Sequence, residues 1–536
     1  MSGSGGLLNL AAVGNNNKIL LGNPSLNAFK VKYSKIRNFG KQAFRIDYDG
    51  QRDLRLTESS TFQFNIPNYA ELLLDTFLCI NLPDIWSPIY QPCPETGNVY
   101  SGYDFRWIDD IGLQMIEEVL VTSGSMTIAR YSGSYLSNVI ERDYTSEKKD
   151  LIKRASGNIP ELNNPAIAFG RTNCYPSAYY TENPVGAEPS IRGRQLYIPI
   201  NTWYSQDSRC AFPLIAQQYN SLTITIRLRP IQQLFRIRDI FDVANQYPYI
   251  QPDFNQQQYA LYRFLQTPPS TDLSPINYVS KIQGWKADIH LIGNYVFLTN
   301  EDAKEFARDT QLYLIKDVYE YQFDNKVGAS KSQLKTNGLV TNWMFYLQRN
   351  DVNLRNEWNN YTNFPYENIP VDIQLAQNLI NPNGVLSGIY ITGDANAANQ
   401  KEILQTLSIL MDGNYRENAM TSGFYNYVDK LVRSNGGGKD GLYFYNFGLN
   451  TGQYQPTGAI NTSKFRNVEF EYTTLVPEVD VNGLNENIVC GNNGEIIGIF
   501  KSNYRLYSYS YNLIVQEERY NILSFQGGYC GLMYAR

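Results

Sequence analysis

The sequence predicts an all-β protein of many short strands packed as sandwiches or barrels. Three observations carry that expectation. Several segments alternate apolar and polar residues with period two, the signature of a strand with one dry and one wet face. Aromatic residues reach 14%, with 42 Tyr and 25 Phe, and Tyr combines strand propensity with a polar tip suited to half-buried sheets. Strand-like runs occur toward both ends of the chain, without the regular strand–helix alternation of a parallel α/β fold.

Each element follows in chain order. Residues 1–26, rich in Gly and Asn, read as a flexible arm. In "EEVLVTSGSMTIAR" two strand-like runs flank Ser123-Gly124-Ser125, a short hairpin turn. "LTITIRLR" sets Leu222, Ile224, Ile226 and Leu228 on one face and Thr223, Thr225, Arg227 and Arg229 on the other. Residues 241–280, rich in Pro and Gln, read as an interdomain linker or insertion. "NEDAKEFARD" predicts a helix with Asn300 as N-cap and Phe306 facing inward. Tyr319, Tyr321 and Phe323 share one strand face, as do Tyr507, Tyr509, Tyr511, Leu513 and Val515. Ile403, Leu404, Leu407 and Met411 stand at helical spacing. The linker divides the 536 residues into halves, each long enough for an eight-stranded sandwich.

Composition excludes several functions. The net charge of −5 argues against a protein that coats nucleic acid by bulk charge. Local charge is uneven: Lys18, Lys30, Lys32, Lys35, Arg37, Lys41 and Arg45 precede the first acid, Asp47. Arg227, Arg229, Arg236 and Arg238 form a second basic run, read as solvated strand and loop positions. The six cysteines are scattered with no CxxC, which fits a reducing compartment. One histidine, His290, leaves no zinc site of the usual ligands, and no metal or cofactor is expected. The N-terminus has no basic n-region and no segment approaches 18 apolar residues, so the chain reads as intracellular and not membrane-spanning.

The catalytic motifs fail on inspection. "SNGGGKDG" (434–441) resembles the end of a phosphate loop, but Asp440 follows Lys439 where Ser or Thr is needed. The next run, Leu442-Tyr443-Phe444-Tyr445, is β-like, so the glycines read as a turn entering a strand. His290, beside Asp288, reads as a surface strand residue. Glu117-Glu118 and Glu517-Glu518 are strand neighbours that point to opposite faces and cannot share a substrate. Asn360 and Asn461 begin glycosylation sequons. A non-enzymatic structural or binding role is expected.

Several segments then resemble the major capsid proteins of the nucleocytoplasmic large DNA viruses. "GLYFYNFGLNTGQYQPTGAINTSKF" (441–465) is similar to that family's strand and turn ending in Gln-Pro-[Ser/Thr]-Gly, here Gln455-Pro456-Thr457-Gly458. "WIDDIGLQMIEEVLVTSGSMTIARYSG" (107–133), "FPLIAQQYNSLTITIRL" (212–228), "YVFLTNEDAKEFARDTQLYLI" (295–315), "NEWNNYT" (356–362), "LMDGNYR" (410–416) and "YNILSFQGGYCGLMY" (520–534) also fit, as do "GGLLNL" (5–10) and "GNPSLNAFKVKY" (22–33). The resemblance implies two consecutive eight-stranded jelly rolls, at 27–240 and 281–536, with a family-variable insertion around 371–404. It also implies a strand from about Leu407, against the helical spacing there. Further implied are pseudo-hexagonal homotrimeric capsomers in an icosahedral virion, made and assembled in the host cytoplasm. Neighbouring capsomers, minor capsid proteins and penton proteins would be the partners, without direct nucleic acid contact. Lys30, Lys32, Lys35, Arg37 and Lys41 are then expected to make inner-face contacts with minor capsid proteins or an internal membrane. The alternative is a glycan-binding or glycan-cleaving β-sandwich that uses Trp343 and Trp358 as sugar platforms.

Overall fold

Antiparallel pairing builds every ladder of the main sheets. The computed structural model describes residues 4–31, 33–50, 53–89, 102–178, 188–242, 247–269, 278–366, 379–380, 386–387, 401–477, 486–490, 496–501 and 508–534. Lys32, Tyr507 and most of the expected 371–404 insertion lie outside these residues. Residues 1–40 form a unit of their own, holding two short helices, Ser4–Ala11 and Asn15–Leu21, within the expected arm.

The first sandwich packs two five-stranded sheets. One runs Gly40–Ile46, His290–Phe297, Leu72–Leu82 and Arg194–Pro199, with Phe212–Pro213 also paired to Leu72–Leu82. The other runs Asp49–Gly50, Ser60–Asn65, Leu222–Leu228, Ile116–Ser123 and Met126–Ser132. The expected alternation holds in Leu222–Leu228. Leu222, Ile224, Ile226 and Leu228 are buried, and Ile226 sits opposite both Phe62 and Val119. Gly124 and Ser125 make the expected hairpin turn, with Gly124 at φ +57°.

Two expected boundaries are corrected here. The strand His290–Phe297 hydrogen-bonds to Leu72–Leu82, so the first sandwich takes its last strand from beyond residue 281. Its pairing partner was two hundred residues earlier in the chain, which local patterning cannot reveal. Residues 241–280 are also not a linker where they are described. Tyr249–Ile250 pairs with Phe235–Arg238, and Tyr259, Leu261 and Phe264 are buried in the first core.

The second sandwich has a six-stranded and a four-stranded sheet. The first includes Gln311–Lys326, Tyr511–Gln526, Leu339–Arg349 and Leu442–Asn446, with Ile460–Asn461 and Tyr529–Leu532 at its margins. The second is Ala329–Leu334, Val468–Thr474, Leu404–Met411 and Asn414–Thr421. Among the described residues neither sandwich shows the expected four-plus-four count. Between the sheets lie Trp343, Phe345, Phe470, Leu513 and Val515. The strand at 404–411 begins three residues before the expected Leu407, because Leu404 already pairs with Thr474. The helix Asn300–Arg308 forms as expected, but Thr299 is its N-cap: its hydroxyl accepts from the Asp302 amide. Phe306 packs, half-buried, against Leu72, Ala211 and Val296.

The central strands of the six-stranded sheet are buried on both faces. Along Leu339–Arg349, Trp343, Phe345 and Leu347 enter the second core, while Met344 and Tyr346 join the first. The outer face of that sheet is therefore the floor of a junction between the sandwiches. Phe470 has no solvent exposure and meets Trp343 and Phe345 edge-on at 5.3 and 5.5 Å. Phe470→Ala should remove about 3–5 kcal/mol from the second sandwich, read as a lowered urea midpoint with trimmed near-ultraviolet dichroism.

Candidate functional site at the sandwich junction

The junction is built on the helix Gly133–Asp143 of the first sandwich. Ser132 caps it, its hydroxyl accepting from the Tyr135 amide. The helix lies against the strand Tyr511–Gln526, whose alternation sends Glu517 and Glu518 to opposite faces, as expected. Glu517 points into the second core and accepts a hydrogen bond from Trp343 Nε1 at 2.6 Å. Glu518 points into the junction with no solvent exposure.

Four groups converge on Glu518. Arg142 Nη2 stands 2.8 Å away and Lys316 Nζ 3.5 Å. Tyr135 donates its hydroxyl at 2.9 Å and Asn342 its amide at 2.7 Å. Arg142 also pairs with Asp143 at 2.7 Å and donates to Asn342 Oδ1 at 2.9 Å. Asn138 bridges the domains again, donating to Gln516 at 3.0 Å and accepting from Tyr361 at 3.1 Å.

A second buried chain of charges crosses nearby. Arg349 pairs with Asp351 at 2.7 Å, Asp351 with Arg355 at 3.3 Å, and Arg355 with Glu357 at 3.6 Å. Glu357 then meets Arg236 of the first sandwich at 3.4 Å, and Arg236 meets Asp109 at 3.5 Å. Signs alternate along the whole series. Asn356 seals the same crossing by donating to the carbonyls of Gln232 and Phe235 at 2.8 and 2.7 Å.

The glycine run answers the question its sequence raised. The amides of Gly436 and Gly438 donate to the carbonyls of Arg142 and Glu141 at 2.7 and 2.9 Å. They cap the C-terminal carbonyls of the junction helix, which have no partner within the helix itself. A Cβ at Gly436 would lie 2.4 Å from the Glu141 oxygen and 2.7 Å from that of Arg142. The loop binds a helix end of the neighbouring sandwich in place of a phosphate. Lys439 completes the clasp, meeting Asn359 and lying 3.7 Å from the Tyr361 ring centre.

Other expected site residues fall elsewhere. Lys30, Lys35 and Arg37 are exposed in the unit of residues 1–40, and Lys41 is exposed on its strand. Of the second basic run only Arg227 is exposed as expected; the others are covered. Arg236 is buried in the ion chain, Arg238 meets Asp104 at 3.2 Å, Arg229 stacks 3.9 Å over Trp358, and Arg227 pairs with Glu117 at 2.8 Å. Arg227 also stands 3.7 Å from Glu118, so its fork reaches both neighbouring acids. His290 is buried, its Nδ1 2.8 Å from the Asp288 carbonyl, which corrects the surface reading.

Asn360 is 4% exposed and its Nδ2 donates to Glu357 and the Phe364 carbonyl, so the folded chain has no room for a glycan there. Asn461 is exposed, with Oδ1 accepting from the Ser463 amide. Trp343 is fully buried and Trp358 is covered by Arg229, so neither offers a sugar platform. The junction residues themselves escaped the sequence reading. Their one local signal was the polar run Gln516-Glu517-Glu518-Arg519 inside a strand of apolar alternation.

The two-sandwich architecture has a counterpart in known families. The family described as "Major capsid protein N-terminus" matches residues 27–299, and "Large eukaryotic DNA virus major capsid protein" matches 303–531. The chain belongs to the major capsid proteins of large eukaryotic DNA viruses. The boundary between the two matches falls just after the strand His290–Phe297, where the sheets also divide. The chain is 24% identical over 353 residues to the major capsid protein of Chrysochromulina ericina virus, covering 62% of the chain and 55% of the relative. The chain spans about half the length of the first curated relatives it matches. A chain of the PBCV-1 virus capsid superposes with a TM-score of 0.62 at 15% identity, covering 95% of this chain and 100% of that one. Faustovirus major capsid protein gives 0.61 at 14%, covering 97% and 96%. The shared fold is the double jelly roll.

Two measurements probe the junction. Burial alone would raise the Glu518 pKa, but Arg142 and Lys316, with the Asn342 and Arg142 hydrogen bonds, pull it from 4.5 to about 2. A depressed folded-state value means that ionised Glu518 contributes stability fully above about pH 4.5, progressively lost as pH falls toward about 2. Glu518→Gln should flatten the acid limb of the stability–pH curve across that window. Gly436→Ala should cost about 1–3 kcal/mol and speed amide exchange at 436–438 and at the end of the junction helix.

Proposed function

We propose that three copies of this chain close into a pseudo-hexagonal capsomer, and that such capsomers tile the icosahedral shell of a large double-stranded DNA virus. The observation that carries this reading is the buried ionic junction, which holds two jelly rolls in one fixed relation. Three chains with two like lobes each present six lobes, so a three-fold assembly can occupy a six-fold lattice position. Neighbouring capsomers, minor capsid proteins and penton proteins are the partners, and assembly takes place in the host cytoplasm before the protein resides in the virion. The jelly rolls supply stiffness, and the loops supply the contact surfaces.

Lys30, Lys32, Lys35, Arg37 and Lys41 face the inner side in this reading, against minor capsid proteins or an internal membrane. Phe29, Val31 and Tyr33 are exposed among them, so apolar and cationic groups are offered together. An anionic membrane surface attracts each such cation by about 1 kcal/mol. Asn461 is the sequon open to a glycan. Light scattering of the purified protein should give three times the 61.3 kDa chain mass, with hexagonal particles in negative stain. A monomer at high concentration would tell against self-closure. Reversing Lys30, Lys35, Arg37 and Lys41 to Glu should leave the trimer intact and block shell assembly; normal assembly of that variant would remove their inner-face role.

A further inference from the structure

Lys439 does more at the clasp than close a loop. Its Nζ meets Oδ1 of the Asn359 carboxamide and lies 3.5 Å from the Asn359 backbone carbonyl. The same Oδ1 accepts a second hydrogen bond, 3.3 Å, from Nε2 of Gln114, which is 1% exposed. The Tyr361 ring covers the amine at 3.7 Å. Asp110 is buried, and its carboxylate acts on Lys439 through its charge. It sits one turn before Gln114, whose amide donates to the Asp110 carbonyl at 2.9 Å, and Ser137 holds its Oδ2 at 2.7 Å. Three separate segments thus join an amine, a carboxamide and a donor on the carboxamide oxygen, with a buried carboxyl acting on the amine through its charge. These are the nucleophile, electrophile, oxyanion donor and proton carrier of an acyl transfer.

We propose that Lys439 and Asn359 join through an isopeptide bond that the folded chain forms once, by itself. Neutral Lys439 Nζ attacks Cγ of Asn359, and the carboxamide oxygen becomes an oxyanion held by Gln114 Nε2. Asp110 takes the proton lost by Nζ and delivers it to Nδ2 of Asn359. The Cγ–Nδ2 bond then breaks, ammonia leaves, and a Cγ–Nζ amide remains. The exchange of one amide for another needs no oxidant, cofactor or second chain.

Burial supports the assignment of roles. It pulls Lys439 below the usual lysine range, against Asp110 and Glu141 and helped by Lys430, which favours the neutral amine. Burial also lifts Asp110 above the ordinary carboxyl range, against Ser137 and Lys439 and helped by Glu141 and Asp109, the direction that suits a proton carrier. The bond would enclose the strands Leu404–Met411 and Asn414–Thr421 in a covalent loop, restricting the unfolded chain and strengthening the second sandwich.

Electrospray mass of the full-length denatured protein tests this directly and independently of shell assembly. The expected value is one ammonia below the sequence mass, with a digest peptide carrying residue 359 joined to one carrying residue 439. Lys439→Arg should return the full mass. Asp110→Asn should do the same while far-ultraviolet dichroism and native mass stay unchanged, separating lost chemistry from a lost fold. Asn359→Asp should crosslink with loss of one water instead. Wild-type protein at its full sequence mass overturns the proposal, as does an ammonia loss that maps to an unlinked asparagine with the two peptides separate. An Asp110→Asn variant that crosslinks like wild type overturns the role given to Asp110.

Discussion

A carboxylate with no solvent exposure stands between the two jelly rolls, and the rest of the architecture is arranged around keeping it charged. Taking Glu518 out of water costs several kcal/mol unless partners surround it. Arg142 and Tyr135 come from the first sandwich, Lys316 and Asn342 from the second. The charge is compensated only when both sandwiches dock in one register. Apolar contact alone is non-directional and tolerates a slide; hydrogen-bonded ion pairs do not.

The same constraint explains the second crossing. The series from Arg349 to Asp109 alternates in sign, so every interior member has an opposite charge on each side. Removing any one leaves a buried neighbour exposed to a desolvation cost with less in return. Around these charges the apolar core is continuous. Met344, Tyr346 and Ile514 of the second sandwich belong to the same cluster as Phe105 and Trp107 of the first. Hydrophobic burial supplies most of the attraction, and the ions and hydrogen bonds set the angle at which it is realised.

The segments that carried the family resemblance meet at this junction. Asp109, Asp110 and Gln114 lie in the 107–133 stretch, Asn356 to Tyr361 in "NEWNNYT", and Thr451 of the 441–465 stretch donates to Asp143 at 2.7 Å. A subunit whose two lobes must hold a lattice angle needs its most exacting chemistry between them. That chemistry looks unremarkable in sequence, because asparagine, glutamine and charged residues in loops ordinarily face water.

The sequence by itself determined the strands and their dry faces. Period-two alternation in 222–228 and 509–515 placed the buried side chains correctly, and the Gly124 turn and the 300–308 helix followed from local chemistry. It also separated Glu517 from Glu518, since strand neighbours point to opposite faces. The tertiary structure decided which wet faces are not wet. Arg236 and His290 read as solvated positions and are buried, and Glu518 and Arg142, which carried no such reading, are buried with them. It also assigned the strand at 290–297 to the first sandwich and turned the Gly436–Gly438 run into a helix cap. Alternation records a local preference within a few residues. Partners two or three hundred residues away leave no periodic trace, and burial of a charge is settled by them.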